Sequence, residues 1–365
     1  MSTVLSAGRR VAGRMPAEAE YCPFPITTDP RPFGLATSTL ALRSGQVVVR
    51  HGRRTSSDTA TILLHGAAGS WSTWTPLLRA DSDSSADSDS ADLNSAERPG
   101  GPTLTDLIIP DLPGWGDSPL PPDEHSLTIE TMAQLVAESA RALGYRRWVV
   151  IGHSMGGFIA LELAAAAARE TTFVGLVSAT TFSVVESARH PLTRFGALPG
   201  YAALLQVMRV LSLAGSAGTA FVRGLHRMSL LRPLVAPLFS HPRLVGASVI
   251  AALGAEARPR AFALASALAA GYDPGRWSRI ACPVRGVHGD GDVFVARSDI
   301  ARLRDVIPDF SAQALQDTGH FGHIERPEAT LRMLGRHPNR HTGLAGRRPL
   351  ARCCHFSCIG VSKRG

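Results

Sequence analysis

Residues 149–161 read VVIGHSMGGFIAL, and this run constrains the fold more than any other. Apolar strand-forming residues lead into it and apolar helix formers leave it. A G-x-S-x-G at such a handover places the serine on a sharp strand-to-helix turn. Strand and helix converge closely there, so the residues two before and two after Ser154 must be tiny. Gly152 and Gly156 fill those positions. The helix that follows aims its N-terminus at the hydroxyl, where its positive end supports developing negative charge. A chain with this turn needs a buried strand before the serine and a packed helix after it.

The rest of the sequence repeats that rhythm. Short apolar segments at 35–42, 46–50, 59–64, 107–110, 147–151, 173–177, 283–288 and 312–315 read as strands. Thr128 caps a helix with Glu130 in its first turn, and Gly144 stops it. A second helix runs from the serine to about residue 169. Strands alternating with helices predict an α/β fold, a mainly parallel central sheet with helices on both faces. Residues 181–275 break the pattern: they are apolar and helix-like and lack glycine-punctuated strands. They read as an inserted helical cap. The expected organisation is a flexible segment over 1–35, a first core part over 36–180, the cap over 181–275, a second core part over 276–334 and a basic, disordered tail over 335–365. Within the first core part, residues 81–97 (DSDSSADSDSADLNSAE) carry six acids and no base. So polar a tract buries too little to order itself, and it reads as a flexible surface insertion.

A serine hydroxyl is a poor nucleophile without a base. In such a sheet the acid and the histidine follow later strands. Asp290-Gly291-Asp292 follows VRGVHG, and Asp317-Thr318-Gly319-His320 follows the last strand. His320 is read as the base in preference to His323, which suits packing at the start of the last helix. Asp292 is preferred to Asp290 as the orienting acid, and Asp299 reads as part of a solvated helix face. Acyl transfer also requires N–H donors for an oxyanion. Met155, directly after the serine, supplies one, and Ala67 in HGAAGS supplies the other. His65 and His153 read as structural.

Composition narrows the partners. The net charge of +8 lies in the tail: residues 332–365 hold eight basic residues and no acid, so the remainder sums to about zero. A neutral body gives no steering field for a nucleic acid. Lysine occurs once, which makes individual arginines weak evidence. Five cysteines, unevenly spread, form no disulfide framework and fit a reducing, cytoplasmic compartment. Cys353-Cys354-His355 with Cys358 has a faint metal-site look, but lacks a second pair, and no metal is expected. The N-terminus lacks the apolar core of a secretory signal, although its arginines leave an organelle presequence open. No long apolar run suggests a membrane span.

Taken together, HGAAGS at 65–70, DLPGWGDS at 111–118, GHSMGG at 152–157, GDGD at 289–292 and GHFGHIERPE at 319–328 resemble the α/β-hydrolase superfamily in its capped, esterase-like branch. The resemblance covers roughly residues 36–334. It implies Ser154 as nucleophile, Asp292 as the group that orients the base, and His320 as proton carrier, with no cofactor. A serine at the strand-to-helix turn sets the chain apart from the haloalkane dehalogenase and epoxide hydrolase branches, which use an aspartate there. The implied activity is hydrolysis of a carboxylic ester through an acyl-enzyme. C–C bond hydrolysis of a dienoic ketoacid, cofactor-free peroxidation and a non-catalytic ligand-binding role stay open. The cap is apolar, and between Glu186 and Glu256 it carries seven arginines (189, 194, 209, 223, 227, 232 and 243) and no acid. A lipophilic small molecule, with an anionic handle as one option, suits such a roof, although arginine bias on a solvated helical face is the preferred reading of these residues. The acidic insertion could rest against it and regulate opening.

Overall fold

The computed structural model describes residues 21–89, 104–190, 198–227 and 231–335. Eight strands form one sheet in the order β1-β2-β4-β3-β5-β6-β7-β8. β1 (Ala36–Leu42) and β2 (Gly45–His51) form an antiparallel hairpin, and β2 also runs antiparallel to β4 (Leu107–Pro110). β3 (Thr59–Leu64), β4, β5 (Arg147–His153), β6 (Thr171–Val177), β7 (Val284–Gly289) and β8 (Phe310–Leu315) are parallel. The sheet is thus mainly parallel, as its strand–helix rhythm predicts.

Consecutive residues of a strand point to opposite faces, so a strand buried throughout needs cover on both. Ile62 and Leu64 of β3 join one core with α2 (Ile129–Ala142) and α3 (Met155–Ala166). Leu63 joins the opposite core, with Leu77 and Leu78 of α1 (Thr75–Asp89) and Leu331 and Leu334 of α12 (Pro327–Gly335). α2 begins with a reciprocal cap. The Thr128 hydroxyl accepts the Thr131 N–H at 3.0 Å, and the Thr131 hydroxyl accepts the Thr128 N–H at 2.7 Å. Between β6 and β7 lie α4 (Phe182–Arg189), α5 (Pro199–Leu213), α6 (Gly215–Arg227), α7 (Leu231–Val235), α8 (Ala247–Ala255) and α9 (Pro259–Gly271). α10 (Arg297–Val306) follows β7, and α11 (Gly322–Glu325) and α12 follow β8.

Three expectations need correction. Residues 21–35 are not loose: Tyr21 and Ile26 are buried against Phe239, Val249 and Phe321. Their anchors lie more than 200 residues away, so local periodicity could not announce them. α1 extends through Asp89, into the tract read as a flexible insertion. Ser82 and Ser84 hydroxyls bond back to the carbonyls of Leu78 and Ala80, and Asp81 accepts the Leu104 N–H at 2.9 Å. Asp299 is buried rather than solvated. It accepts the Thr181 hydroxyl at 3.0 Å, the Ser183 N–H at 3.1 Å and the Ser183 hydroxyl at 2.6 Å, which pins α10 to the start of α4. Residues 1–20, the stretch 90–97, the cysteine cluster at 353–358 and the tail from 336 lie outside the described residues.

Candidate active site

Ser154 joins β5 to α3 at φ 52°, ψ −119°, a backbone state that costs a non-glycine residue about 1–3 kcal/mol. The surroundings hold it there. Its N–H donates to Val177 O at 3.1 Å, and its carbonyl accepts Gly157 N–H at 3.0 Å. A Cβ on Gly152 would lie 2.3 Å from Gly156 O, and one on Gly156 would lie 2.2 Å from Leu64 O. The two glycines are therefore required by close approach, as the sequence pattern implies.

The acid and histidine arrive from the ends of β7 and β8. His320 Nδ1 lies 3.0 and 3.1 Å from the two carboxylate oxygens of Asp292. The Asp292 side chain is fully buried and also accepts the Phe294 N–H at 2.8 Å. Burial alone would raise its pKa, but the charge and hydrogen bond of His320 outweigh that and hold it below the usual carboxylate value. Asp290 is exposed and instead accepts the Thr318 N–H at 3.2 Å, closing the loop between the strands. With Nδ1–H committed to Asp292, Nε2 of His320 is the nitrogen left to accept a proton. His320 and Ser154 line one cavity of about 770 Å³.

Ala67 and Met155 line the same cavity. Met155 is the first residue of α3, so its N–H has no helical acceptor. The Ala67 N–H has none among the described residues. Its direction follows from the peptide it shares with Gly66. His65 Nε2 accepts the Leu112 N–H at 2.9 Å, so the proton sits on Nδ1, which donates to Gly66 O at 2.8 Å. Gly69 N–H donates to the same carbonyl at 3.2 Å. In a trans peptide the N–H points opposite to the C=O, so anchoring Gly66 O turns the Ala67 N–H away from both donors. His65 is structural in the sense expected, yet it orients a candidate oxyanion donor. Burial lowers its pKa and keeps it neutral.

His153 is also buried, with its pKa pushed well down by burial and by the neighbouring His323 and His320. Its Nε2 donates to His320 O at 3.0 Å. His323 packs in α11, between Trp74 and His153, and burial drives its pKa down to about 3.

Sequence reasoning missed Glu325. It is fully buried, and accepts the N–H of Gly319 at 2.9 Å, of Phe321 at 3.0 Å and of Ser240 at 3.1 Å, together with the Tyr21 hydroxyl at 2.6 Å. One carboxylate thus brackets His320 on both sides and ties that loop to the segment after α7 and to the N-terminal stretch. Its pKa is raised by burial, against those bonds. Its neighbours in GHFGHIERPE are mixed, with Ile324 before it and Arg326 after, so no local signal marked it as buried.

Two of the seven arginines between Glu186 and Glu256 serve the backbone. Arg189 donates to the carbonyls of Ala270 and Tyr272, and Arg232 to those of Pro242 and Val245. No arginine is among the described residues lining the cavity, which are mostly apolar: Val207, Leu211, Phe221, Leu234 and Phe262 are typical. Arg194 and the Arg223 and Arg227 side chains lie outside the described residues. No group of three or more His, Cys, Asp or Glu able to hold a metal occurs among the described residues. No helix among them is long and apolar enough to cross a membrane.

Residues 61–333 match the model of the alpha/beta hydrolase family. No curated protein matches the chain by sequence. Solved structures do share its fold. A serine hydrolase from the polyaromatic-hydrocarbon-degrading bacterium Cycloclasticus zankles is 19% identical, with TM-score 0.55, covering 82% of this chain and 96% of that one. A bacterial membrane phospholipase A described as a virulence factor is 22% identical, with TM-score 0.55 over 83% and 86%. An epoxide hydrolase is 18% identical, with TM-score 0.56 over 82% and 96%.

Proposed function

This chain belongs to the alpha/beta hydrolase family, and on that premise we propose that it is a serine hydrolase cleaving a carboxylic ester of a lipophilic, uncharged substrate through an acyl-enzyme. The observation that carries this reading is the pairing of His320 Nδ1 with the buried Asp292 carboxylate, at the wall of the cavity that Ser154 also lines. In the proposed mechanism Ser154 Oγ attacks the ester carbonyl and His320 Nε2 takes its proton. Asp292 holds the imidazole in the required tautomer and stabilises the imidazolium. The N–H groups of Ala67 and Met155 receive the oxyanion, each supplying about 3 kcal/mol of transition-state stabilisation. His320 then protonates the leaving alkoxide, and water repeats the sequence on the acyl-enzyme. α4–α9 act as the cap, and their apolar side chains seat the acyl chain. A dienoic ketoacid would bring a carboxylate against this lining, and the absence of arginine among its described residues favours the neutral ester.

Labelling with a fluorophosphonate and a chain-length series of p-nitrophenyl esters test the reading. Wild type should label, and its kcat/KM should rise with acyl length. Ser154→Ala should abolish labelling, and Ser154→Ala and His320→Ala should each lower kcat about a million-fold. Ester hydrolysis that survives in Ser154→Ala refutes the assignment.

A further inference from the structure

The exposed large apolar side chains of the described chain are gathered in one region. Val207, Val210, Leu213, Phe221 and Leu234 lie on α5, α6 and α7, and Val293 lies beside Asp292. Val207, Phe221, Leu234 and Val293 also line the cavity, so they form its rim. Val210 and Leu213 do not line it. They carry the apolar surface outward along α5, to 65% and 90% exposure. Leu213 stands where Ala214 and Gly215, the latter at φ +56°, turn the chain into α6. A Cβ on Gly218 would lie 2.0 Å from Leu211 O, so the two helices press together just behind this tip. An apolar surface of this kind, continuous with a binding cavity, marks an interaction site.

The charge around it indicates what the occupant is. From Glu186 to Glu256 the sequence holds seven arginines and no intervening acid, so α5 and α6 carry positive charge only, and Arg209 on α5 is half-buried. Arg209 is adjacent to Val210 and one helical turn from Leu213. A segment with positive charge only, Arg209 on α5 and protruding Val and Leu, matches a surface with anionic phosphates over an apolar interior. We propose that the α5–α6 tip docks the protein on the surface of an anionic lipid bilayer, with the cavity's rim turned toward the lipid. A lipophilic ester partitions into that surface, so docking would place the rim at its source. This last step rests on the ester reading, whereas the docking does not.

The test is co-sedimentation of the Ser154→Ala protein with vesicles of equal parts phosphatidylglycerol and phosphatidylcholine, compared with phosphatidylcholine alone. Binding should be about tenfold stronger on the anionic vesicles and weaken as salt shortens the Debye length. The double variant Val210→Glu/Leu213→Glu should reduce it a further tenfold or more. In the Ser154 background the same pair should leave hydrolysis of a short, soluble ester and the unfolding temperature unchanged, since neither side chain lines the cavity. Failure to sediment, equal binding to both vesicles, or no effect of the double variant overturns the proposal. So does a dimer in solution that the double variant dissolves, which would make the tip a contact with a second copy. If the Ser154 protein hydrolyses no ester yet the vesicle results hold, the ester reading fails and the docking stands.

Discussion

His323 shows how much a single side chain can reveal about acid sensitivity. Neither of its ring nitrogens has a hydrogen-bond partner among the described residues, and burial holds its pKa at about 3, against about 6.5 in an unfolded chain. The folded state therefore binds this proton less readily than the unfolded state. The stability concerned is complete above about pH 6.5 and is lost as pH falls toward 3, by up to about 1.4 kcal/mol per pH unit. His153 adds to the same trend, its pKa being lowered well below the usual value. Urea unfolding between pH 7 and pH 4 should show a steep acid limb, and His323→Phe should flatten it while still stacking on Trp74. An unchanged limb in that variant would mean the acid sensitivity lies elsewhere.

Among the elements, β5 and α3 are the pair on which the site depends, and much of their junction was legible in advance. Glycines at 152 and 156 with the strand and helix flanks were local signals, and the close approaches confirm why side chains are excluded there. Gly156→Ala should lower stability by about 3 kcal/mol and abolish labelling of Ser154, because relieving the clash with Leu64 O moves the start of α3. Gly271→Ala, at the end of α9, where a Cβ meets nothing within 4 Å and the residue is exposed, is the matched control and should lower neither. Thermal unfolding and fluorophosphonate labelling check both variants. What local pattern could not show was where a charged residue finds its partner. Asp299 looked like one face of a polar helix, because Thr181 and Ser183 are over a hundred residues earlier. Arginine spacing likewise gave no warning that Arg189 and Arg232 serve backbone carbonyls rather than a ligand.

At the scale of the molecule, segments distant in the chain are tied by buried and half-buried charged groups that sequence periodicity does not encode. Glu162 of α3 accepts Arg276 at 2.6 Å and the Tyr272 hydroxyl at 2.5 Å, just past α9. The Gly116 N–H donates to Glu256 at 2.9 Å, and Arg258 donates to Gly116 O at 2.7 Å, which anchors the DLPGWGDS loop to the turn between α8 and α9. Glu325 and Tyr21 close a third tie, across 304 residues. Glu325→Gln puts an amide donor among N–H donors, and should cost about 2 kcal/mol or more while lowering kcat at unchanged KM, as the loop around His320 loosens. Tyr21→Phe leaves the carboxylate in place and should cost about 1 kcal/mol with little loss of kcat. Chemical denaturation and steady-state kinetics on the two variants separate positioning of His320 from simple loss of stability. The bond from the Leu104 N–H to Asp81 has a practical corollary. It fastens α1, at Asp81, to Leu104 at the approach to β4, so the sheet's edge is held independently of how long a span joins the two. That makes this junction a natural port for grafting a fluorescent reporter or surface tether without retuning the chemistry.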